Sequence, residues 1–146
     1  MRISVQAAAF DPGSETSSFA AGCGGAGAIV TFTGLVRDDG GSLTAMEIEH
    51  YPGMTEAAIA GIVELALARW HLSDAMVIHR HGRLTPGEPI MMVATAARHR
   101  ADAFAAAEYL MDYLKSRAPF WKKEISATGA VWVAARGEDE TALERW

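Results

Sequence analysis

Two periodicities of apolar residues run along the chain, and together they predict its secondary structure. Segments in which apolar and polar residues alternate, or which form short β-branched runs, are typical of strands. Clusters such as DDGGS (38–42) and TPGE (85–88) predict the turns between strands. The predicted strands are RISVQA (2–7), GAIVTFTGLVR (27–37), LTAMEIEHY (43–51), AMVIHRHGRL (75–84), IMMVATAA (90–97), WKKEI (121–125) and AVWVAAR (130–136).

Apolar residues three and four positions apart predict two long amphipathic helices. The first spans 55–70, with Thr55 as its N-cap and a stripe formed by Ile59, Ile62, Val63, Ala66 and Trp70. The second runs from Ala101 to about Ser116, with Phe104, Ala107, Met111 and Leu114 facing inward. Residues 11–26, rich in Gly, Ser and Ala, predict a short helix followed by a flexible approach to the next strand.

The order of these elements predicts the fold. From residue 43 onward it is β-α-β-β-α-β, the ferredoxin-like split βαβ motif of α+β proteins, with helices on one face of an antiparallel sheet. The first strands and the last one are additions to this core. No internal repeat or linker interrupts the pattern, so residues 1–146 are expected to form one domain.

Composition narrows the classes of function. The chain has 146 residues, half of them hydrophobic, and a net charge of −5, which argues against general affinity for nucleic acid. No apolar run reaches the roughly 18 residues that a membrane span needs, and the N-terminus lacks the apolar core of a signal peptide. The single cysteine, Cys23, excludes an internal disulfide, and we expect a cytoplasmic protein.

Cations are concentrated in one part of this acidic chain. Six of the 13 lysines and arginines lie between Arg98 and Lys123, many of them among aromatic residues in MDYLKSRAPFWKKE (111–124). RHR (98–100) precedes a predicted helix, whose N-terminal N–H groups favour anions. It is equally compatible with a solvated turn. The cluster as a whole predicts a corner that binds a small anion.

Two lysines are candidates for the chemistry of that corner. Lys115 shares a helix face with Met111, so it is either a partly desolvated acid or base, or the ion-pair partner of Asp112, which the pattern favours. Lys122 and Lys123 are neighbours on a predicted strand and therefore point to opposite faces. At most one of them enters a given pocket.

Other motifs carry less chemistry. His79 and His81 would face the same way on a strand, but no third zinc ligand is evident, so no metal site is predicted. Cys23 lies in GCGGAG without a CxxC partner, and no Gly-Lys-Ser/Thr follows these glycines. No cofactor is expected.

Several segments resemble one enzyme family in their order and spacing. They are VTFTGLVR (30–37), EHYPGMTE (49–56), VIHRHGRLTPGE (77–88), HRADAF (99–104) and MDYLKSRAPFWKKE (111–124). This combination is similar to the large subunit of molybdopterin synthase from about Gly27 to Arg136, while the first 26 residues match loosely. The resemblance implies an α/β hammerhead fold with an added β-rich subdomain, compatible with the split βαβ core.

The resemblance also implies a reaction and partners. Members of the family are sulfurtransferases that convert cyclic pyranopterin monophosphate into molybdopterin by inserting two sulfurs. The sulfur arrives as a thiocarboxylate on the C-terminal Gly-Gly of a small ubiquitin-like subunit, so the large subunit needs no sulfur carrier of its own. Family members are homodimers that carry two small subunits, which makes a heterotetramer.

Site residues follow from the matched motifs. Lys115 matches the catalytic lysine of the family and Lys122 its second pocket lysine. Phe32, Arg37 and Met111 match pocket positions of the same subunit. His99, Arg100 and Arg136 match residues that reach in from the other protomer to hold the anionic end of the substrate. Leu35 stands where the family often has lysine, which leaves one positive charge fewer beside Arg37.

The alternative hypothesis is a non-enzymatic ferredoxin-like module that binds a small anionic ligand. It predicts ligand binding without turnover and no small-protein partner. Capture of a ubiquitin-like protein that ends in Gly-Gly would discriminate between the two.

Overall fold

The structure, a computed structural model, describes residues 1–134 and 136–146 as eight strands, four α-helices and a short 3-10 helix. The strands are β1 (Arg2–Gln6), β2 (Ala28–Leu35), β3 (Leu43–His50), β4 (Asp74–Arg80), β5 (Gly82–Leu84), β6 (Pro89–Ala97), β7 (Phe120–Ser126) and β8 (Gly129–Trp132). The α-helices are α1 (Pro12–Ala21), α2 (Met54–Trp70), α3 (Arg100–Arg117) and α4 (Gly137–Ala142), and the 3-10 helix is Leu143–Arg145. No helix among the described residues is long and apolar enough to cross a membrane.

The strands form two sheets of four. The first has the order β1-β4-β6-β2 and the second the order β5-β3-β7-β8. Only β1 and β4 pair in parallel; the other neighbours are antiparallel. The predicted α+β class is therefore confirmed. The β-α-β-β-α-β order is present as β3, α2, β4, β6, α3 and β7, with β5 inserted after β4. These strands do not form the single antiparallel sheet of the ferredoxin-like motif, because β3 and β7 pair in the second sheet.

Both faces of the first sheet are covered, whereas the sequence predicted helices on one face. The main core joins this sheet to α2, α3 and one face of the second sheet, with Val77, Val93, Ile59 and Leu110 at its centre. On the other face, α1 packs Phe19 against Met76, Ile78 and Met92. The continuously apolar β4 and β6 explain this arrangement, because a strand buried on both faces does not need to alternate.

The predicted strand 75–84 is divided between the sheets. Gly82 adopts φ 90°, a left-handed conformation that a residue with a side chain rarely accepts, and it separates β4 from β5. The segment before the turn stays in the first sheet, and β5 pairs with β3 in the second. A glycine inside a strand-like run was the available signal. The predicted strand 130–136 ends at Trp132, and Ala135 lies outside the described residues.

Two helix details differ from the prediction. Gly53 is the N-cap of α2, and Thr55 lies inside the helix, where its hydroxyl accepts from the Tyr51 N–H and donates to the Tyr51 carbonyl. Phe104 is 61% exposed, because the inward stripe of α3 is rotated towards Ala103 and Leu110. The small alanines let α3 approach β6 closely enough for the Thr95 hydroxyl to donate to the Ala103 carbonyl at 2.7 Å.

We predict that Gly27→Ala destabilises the fold. A Cβ at Gly27 would lie 2.2 Å from the backbone oxygen of Arg98, so the chain beside α3 would have to shift. Overpacking of this kind lowers the free energy of unfolding by about 1–3 kcal/mol. Urea denaturation measures this change.

Gly61→Ala is the matched control. Gly61 is exposed within α2, and a Cβ added there would meet nothing within 4 Å, so alanine should stabilise the helix by roughly 0.5–1 kcal/mol. Equal unfolding midpoints for the two variants would contradict the close approach at Gly27.

Candidate active site

The register of the second sheet directs Lys122 towards the interior. Lys122 lies opposite Ile48, and Phe120 lies opposite His50. Cross-strand partners share a face, and Ile48 is fully buried in the main core, so the Lys122 side chain leaves the strand on the core side. Lys123 points to the other face, where its amine lies 4.5 Å from the ring centre of Trp132. The prediction that the two lysines face opposite ways is confirmed.

Lys122 is half-buried and surrounded by charge. Burial lowers the pKa of its amine below the ordinary range, and the positive charges of Lys115 and Arg136 lower it further. Asp139, in α4, acts in the opposite direction. Cations from α3 and from the residue before α4 thus act on the Lys122 amine of β7, and the Asp139 carboxylate partly offsets them. Such a corner attracts anions and keeps a larger fraction of the Lys122 amine neutral than an exposed lysine would have.

The resemblance implies that Arg136 reaches into the site of the other protomer. Within its own chain, Arg136 is the residue before α4, and its charge contributes to the lowered pKa of Lys122. Its side chain is exposed and forms an ion pair with Glu138 at 3.4 Å.

The suggested pairing of Lys115 with Asp112 is wrong. Asp112 accepts hydrogen bonds from the Arg145 guanidinium at 2.9 and 3.0 Å and from the Trp146 indole at 2.7 Å. The C-terminal 3-10 helix thus returns to α3 and occupies this carboxylate. Lys115 is exposed in the last turn of α3 and forms no ion pair with any described residue.

An aromatic wall lies next to Lys122. The rings of His79 and Phe120 stack with their centres 3.7 Å apart and their planes 15° from parallel. His79 Nδ1 lies 2.8 Å from the Arg80 carbonyl, which can only accept, so Nδ1 carries the hydrogen. Burial lowers the pKa of His79 to about 3, with the Arg80 hydrogen bond opposing and the charge of Lys122 contributing. The ring is therefore uncharged at neutral pH.

The sequence pattern suggested His79 only as half of a zinc pair. His81 instead packs against His50, with ring centres 4.5 Å apart. No group of three or more metal-binding side chains occurs among residues 1–134 and 136–146. The contact of His79 with Phe120 joins residues more than 40 positions apart, and no local pattern signals it. Asp139 was also missed, because the segment that contains it has no strong periodicity.

The three other residues predicted for the pocket of the same chain lie on α3, on β2 and just after β2. Met111 is half-buried against the main core one turn before Lys115. Phe32 is 41% exposed on the edge strand β2, on the face opposite to Ile29, which packs under α1. Arg37 pairs with Asp39 at 2.8 Å.

Arg37 also faces the strand that carries Lys122. It lines a cavity of about 200 Å³ together with Glu124, which shares a face of β7 with Lys122. Leu35, at the end of β2, is exposed. A larger cavity of about 440 Å³ lies between Tyr51, Trp121 and Trp132. It is on the opposite face of the second sheet from Lys122.

His99 and Arg100 are not part of this corner in one chain. They are exposed at the N-terminus of α3, with His99 as its N-cap. Lys115 is in the last turn of the same helix, and 15 residues at 1.5 Å each separate the two ends by about 22 Å. Within one chain, Lys115 and Arg136 thus influence the charge state of Lys122, whereas Arg100 lies at the far end of α3.

Comparison with known proteins gives close matches. The family model described as MoaE protein matches residues 5–117. The molybdopterin synthase catalytic subunit of Cereibacter sphaeroides is 73% identical over 146 residues, which is 100% of each chain. The solved structure of the MoaE protein from Burkholderia ambifaria has a TM-score of 0.86 and 49% identity, covering 99% of this chain and 97% of that one.

A more distant structure supports the fold alone. It is the complex of subunits 1 and 2 of molybdopterin-converting factor from Helicobacter pylori, with a TM-score of 0.81 at 16% identity, covering 92% of this chain and 91% of that chain. The family match extends over most of the chain, and the Cereibacter relative is aligned along its whole length. On these grounds the chain belongs to the MoaE family, the family of molybdopterin synthase catalytic subunits.

Proposed function

We propose that this chain transfers sulfur to cyclic pyranopterin monophosphate, using the corner formed by Lys115, Lys122 and Arg136. The sulfur donor is the thiocarboxylated C-terminus of a small ubiquitin-like subunit, and two transfers yield molybdopterin. The observation that carries the proposal is the half-buried Lys122, whose pKa is lowered by burial and by the charges of Lys115 and Arg136, in a chain of net charge −5. Both the donor and the substrate are anions, which such a corner attracts.

The chemistry explains why cations and a dry wall belong together. In each transfer the sulfur bonds to a substrate carbon and displaces an oxygen substituent from it. Water then cleaves the bond between that sulfur and the acyl carbon of the glycine tail, so the tail ends as a carboxylate. Negative charge develops on the acyl oxygen as its carbon is attacked. Cations held in a water-poor pocket stabilise that charge far better than they would in bulk water.

The two lysines have different environments and therefore different proposed roles. Lys115 is exposed at the end of α3, where its ammonium can meet an incoming tail and substrate. Lys122 is half-buried, and its lowered pKa lets its amine release and regain a proton more readily than an exposed lysine does. Phe32, Met111 and Arg37 are proposed to complete the pocket on the same chain.

His99 and Arg100 are proposed to serve the corner of a second copy. They lie about 22 Å from Lys115 along α3, too far to hold a substrate that Lys115 also touches. A two-fold dimer would place the Arg100 end of one protomer beside the Lys115 end of the other. With one small subunit at each corner, the assembly is a heterotetramer.

Residues 1–146 are proposed to act as one domain without a resident cofactor. Cys23, the only cysteine, is buried, and burial raises the pKa of its thiol, so it is a poor sulfur carrier. The proposed location is the cytoplasm, because its reducing conditions suit a protein that needs no disulfide.

We predict that Lys115→Ala leaves the protein folded but nearly abolishes sulfur transfer. Loss of a group that stabilises the negative charge developing in the transition state lowers the rate about 10²–10³-fold. The assay follows molybdopterin formation from the precursor and thiocarboxylated small subunit.

Lys123→Ala is the control for the loss of a lysine. Lys123 is on the opposite face of β7 and should be dispensable for turnover. Near-normal turnover by a well-folded Lys115→Ala protein would refute the assignment of the catalytic lysine.

We predict that Arg100→Ala mainly weakens binding of the precursor, because this guanidinium is proposed to hold its phosphate. Wild-type affinity should fall as salt is added, since salt screens exposed charge pairs. Isothermal titration calorimetry measures both effects. Arg83→Ala removes an exposed arginine from β5 and should leave the affinity unchanged. Equal affinities of Arg100→Ala and wild type would exclude the phosphate-binding role.

We predict that Lys115→Ala and Arg100→Ala complement each other in mixed dimers. A mixed dimer has one site with both lesions and one with neither. Random mixing makes half of the dimers mixed, so roughly a quarter of all sites become intact in a two-fold dimer.

The two variants are therefore co-expressed, and their molybdopterin formation is compared with that of each variant alone. Mass spectrometry of the intact dimers verifies that subunits have mixed. Activity no higher than the mean of the separate variants, despite proven mixing, would show that Lys115 of one protomer and Arg100 of the other do not serve a shared site.

A further inference from the structure

His79 stands out among the residues to which no role has been assigned. It is 5% exposed and sits where β4, in the first sheet, meets β7, in the second. Three contacts fix its ring: the stack on Phe120 at 3.7 Å, the hydrogen bond from Nδ1 to the Arg80 carbonyl at 2.8 Å, and the surrounding core. A buried imidazole with one nitrogen bound to the backbone has a fixed tautomer and orientation.

The ring is also close to Lys122. Phe120 and Lys122 are two residues apart on β7 and share its core-facing side. The Lys122 side chain therefore leaves β7 next to Phe120, on whose ring His79 stacks, and the charge of Lys122 contributes to the lowered pKa of His79. The flat pair of rings therefore borders the space in which the Lys122 side chain lies.

We propose that His79 is a positioning residue, which with Phe120 forms an uncharged wall that keeps water away from the Lys122 amine. This inference rests on the proposed function, because it matters for catalysis only if Lys122 transfers protons. His79 itself touches no substrate in this proposal. It acts through Lys122, by preserving the desolvated environment on which the acid–base use of that amine depends.

The contribution of the wall can be separated from that of the neighbouring charges. The groups that face Lys122 are Lys115 from α3, Arg136 and Asp139 from the C-terminal segment, and His79 from β4. His50 and His81 face His79 from β3 and from the turn after β4. Burial is the largest cause of the lowered pKa of Lys122, ahead of any of these charges. Removing the wall should therefore raise the pKa of Lys122, even though the charges of Lys115 and Arg136 remain.

Two substitutions divide the functions of the His79 side chain. His79→Phe keeps a ring against Phe120 and loses the donor to Arg80. His79→Asn keeps an N–H donor near the Nδ1 position and loses the ring. If the ring excludes water, His79→Asn should raise the pKa of Lys122 towards that of an exposed lysine, whereas His79→Phe should leave it low.

The pKa of Lys122 is measured without reference to turnover. The full-length protein is labelled with acetic anhydride over a range of pH, and mass spectrometry quantifies modification of Lys122. A Lys123→Arg background leaves one reactive amine in this part of β7. His81→Asn is the matched control, because the same substitution is made in a histidine outside the stack, and no change at Lys122 is expected there.

Turnover supplies the second readout. We expect His79→Asn to lower kcat about tenfold, with KM for the precursor little changed, and to shift the pH profile of kcat upward together with Lys122. His79→Phe should keep most of kcat and the wild-type profile. A role of His79 in folding alone would lower the unfolding midpoint without moving either pH profile.

Several outcomes would overturn the proposal. One is a folded His79→Asn protein whose Lys122 labels as in wild type; another is an equal rise in pKa for His79→Phe, which would assign the effect to the Arg80 hydrogen bond. If His79→Phe does not fold, Phe120→Ala opens the same wall from its other side, and an unchanged Lys122 pKa there contradicts the proposal. A different result would separate the two proposals. If the labelling of Lys122 follows the expected pattern but the wild-type protein transfers no sulfur, the proposed function is refuted and the water-excluding role of His79 still holds.

Discussion

The antiparallel pairing of β3 with β7 is the interaction on which the site depends. It places Lys122 opposite Ile48 and Phe120 opposite His50, so a lysine and an aromatic ring project from a face that is otherwise apolar. A shift of one residue in this register would exchange Lys122 with Lys123 and turn the desolvated amine out to solvent. The ladder of backbone hydrogen bonds thus decides which of two chemically identical neighbours enters the pocket.

Burying the Lys122 amine costs free energy, and several neighbouring groups change that cost. The Lys122 amine relieves it by a lowered pKa, and Asp139 offsets part of the repulsion from Lys115 and Arg136. The wall beside the amine adds no charge, because His79 is held neutral by burial. A protonated imidazole at this position would repel the very cations that an anionic substrate needs. The acidic chain can therefore carry a local positive site without a basic surface elsewhere.

Helix α3 gives the site its second constraint. It carries Lys115 at its C-terminal end and Arg100 at its N-terminal end, about 22 Å apart. A rigid helix cannot bring its own ends together, so a site that uses both needs two copies. The C-terminal residues also affect Lys115. Arg145 and Trp146 donate hydrogen bonds to Asp112, so this carboxylate does not pair with the exposed Lys115.

The sequence by itself determined the elements that local patterns encode. Periodicity identified both long helices and every strand except the separate β5, and alternation determined that Lys122 and Lys123 diverge. The motifs around Lys115 were sufficient to indicate the family. These features depend on residues close together in the chain, where spacing alone dictates which side chains share a face.

Only the tertiary structure decided how distant segments combine. Gly82 separates β4 in the first sheet from β5 in the second. The hydrogen-bond donors to Asp112 are Arg145 and Trp146, the last two residues of the sequence. The stack of His79 on Phe120 and the presence of Arg136 beside Lys122 in one protomer join segments with no shared periodicity. Such contacts form because separate apolar faces must be buried against one another, and that packing is a property of the whole chain.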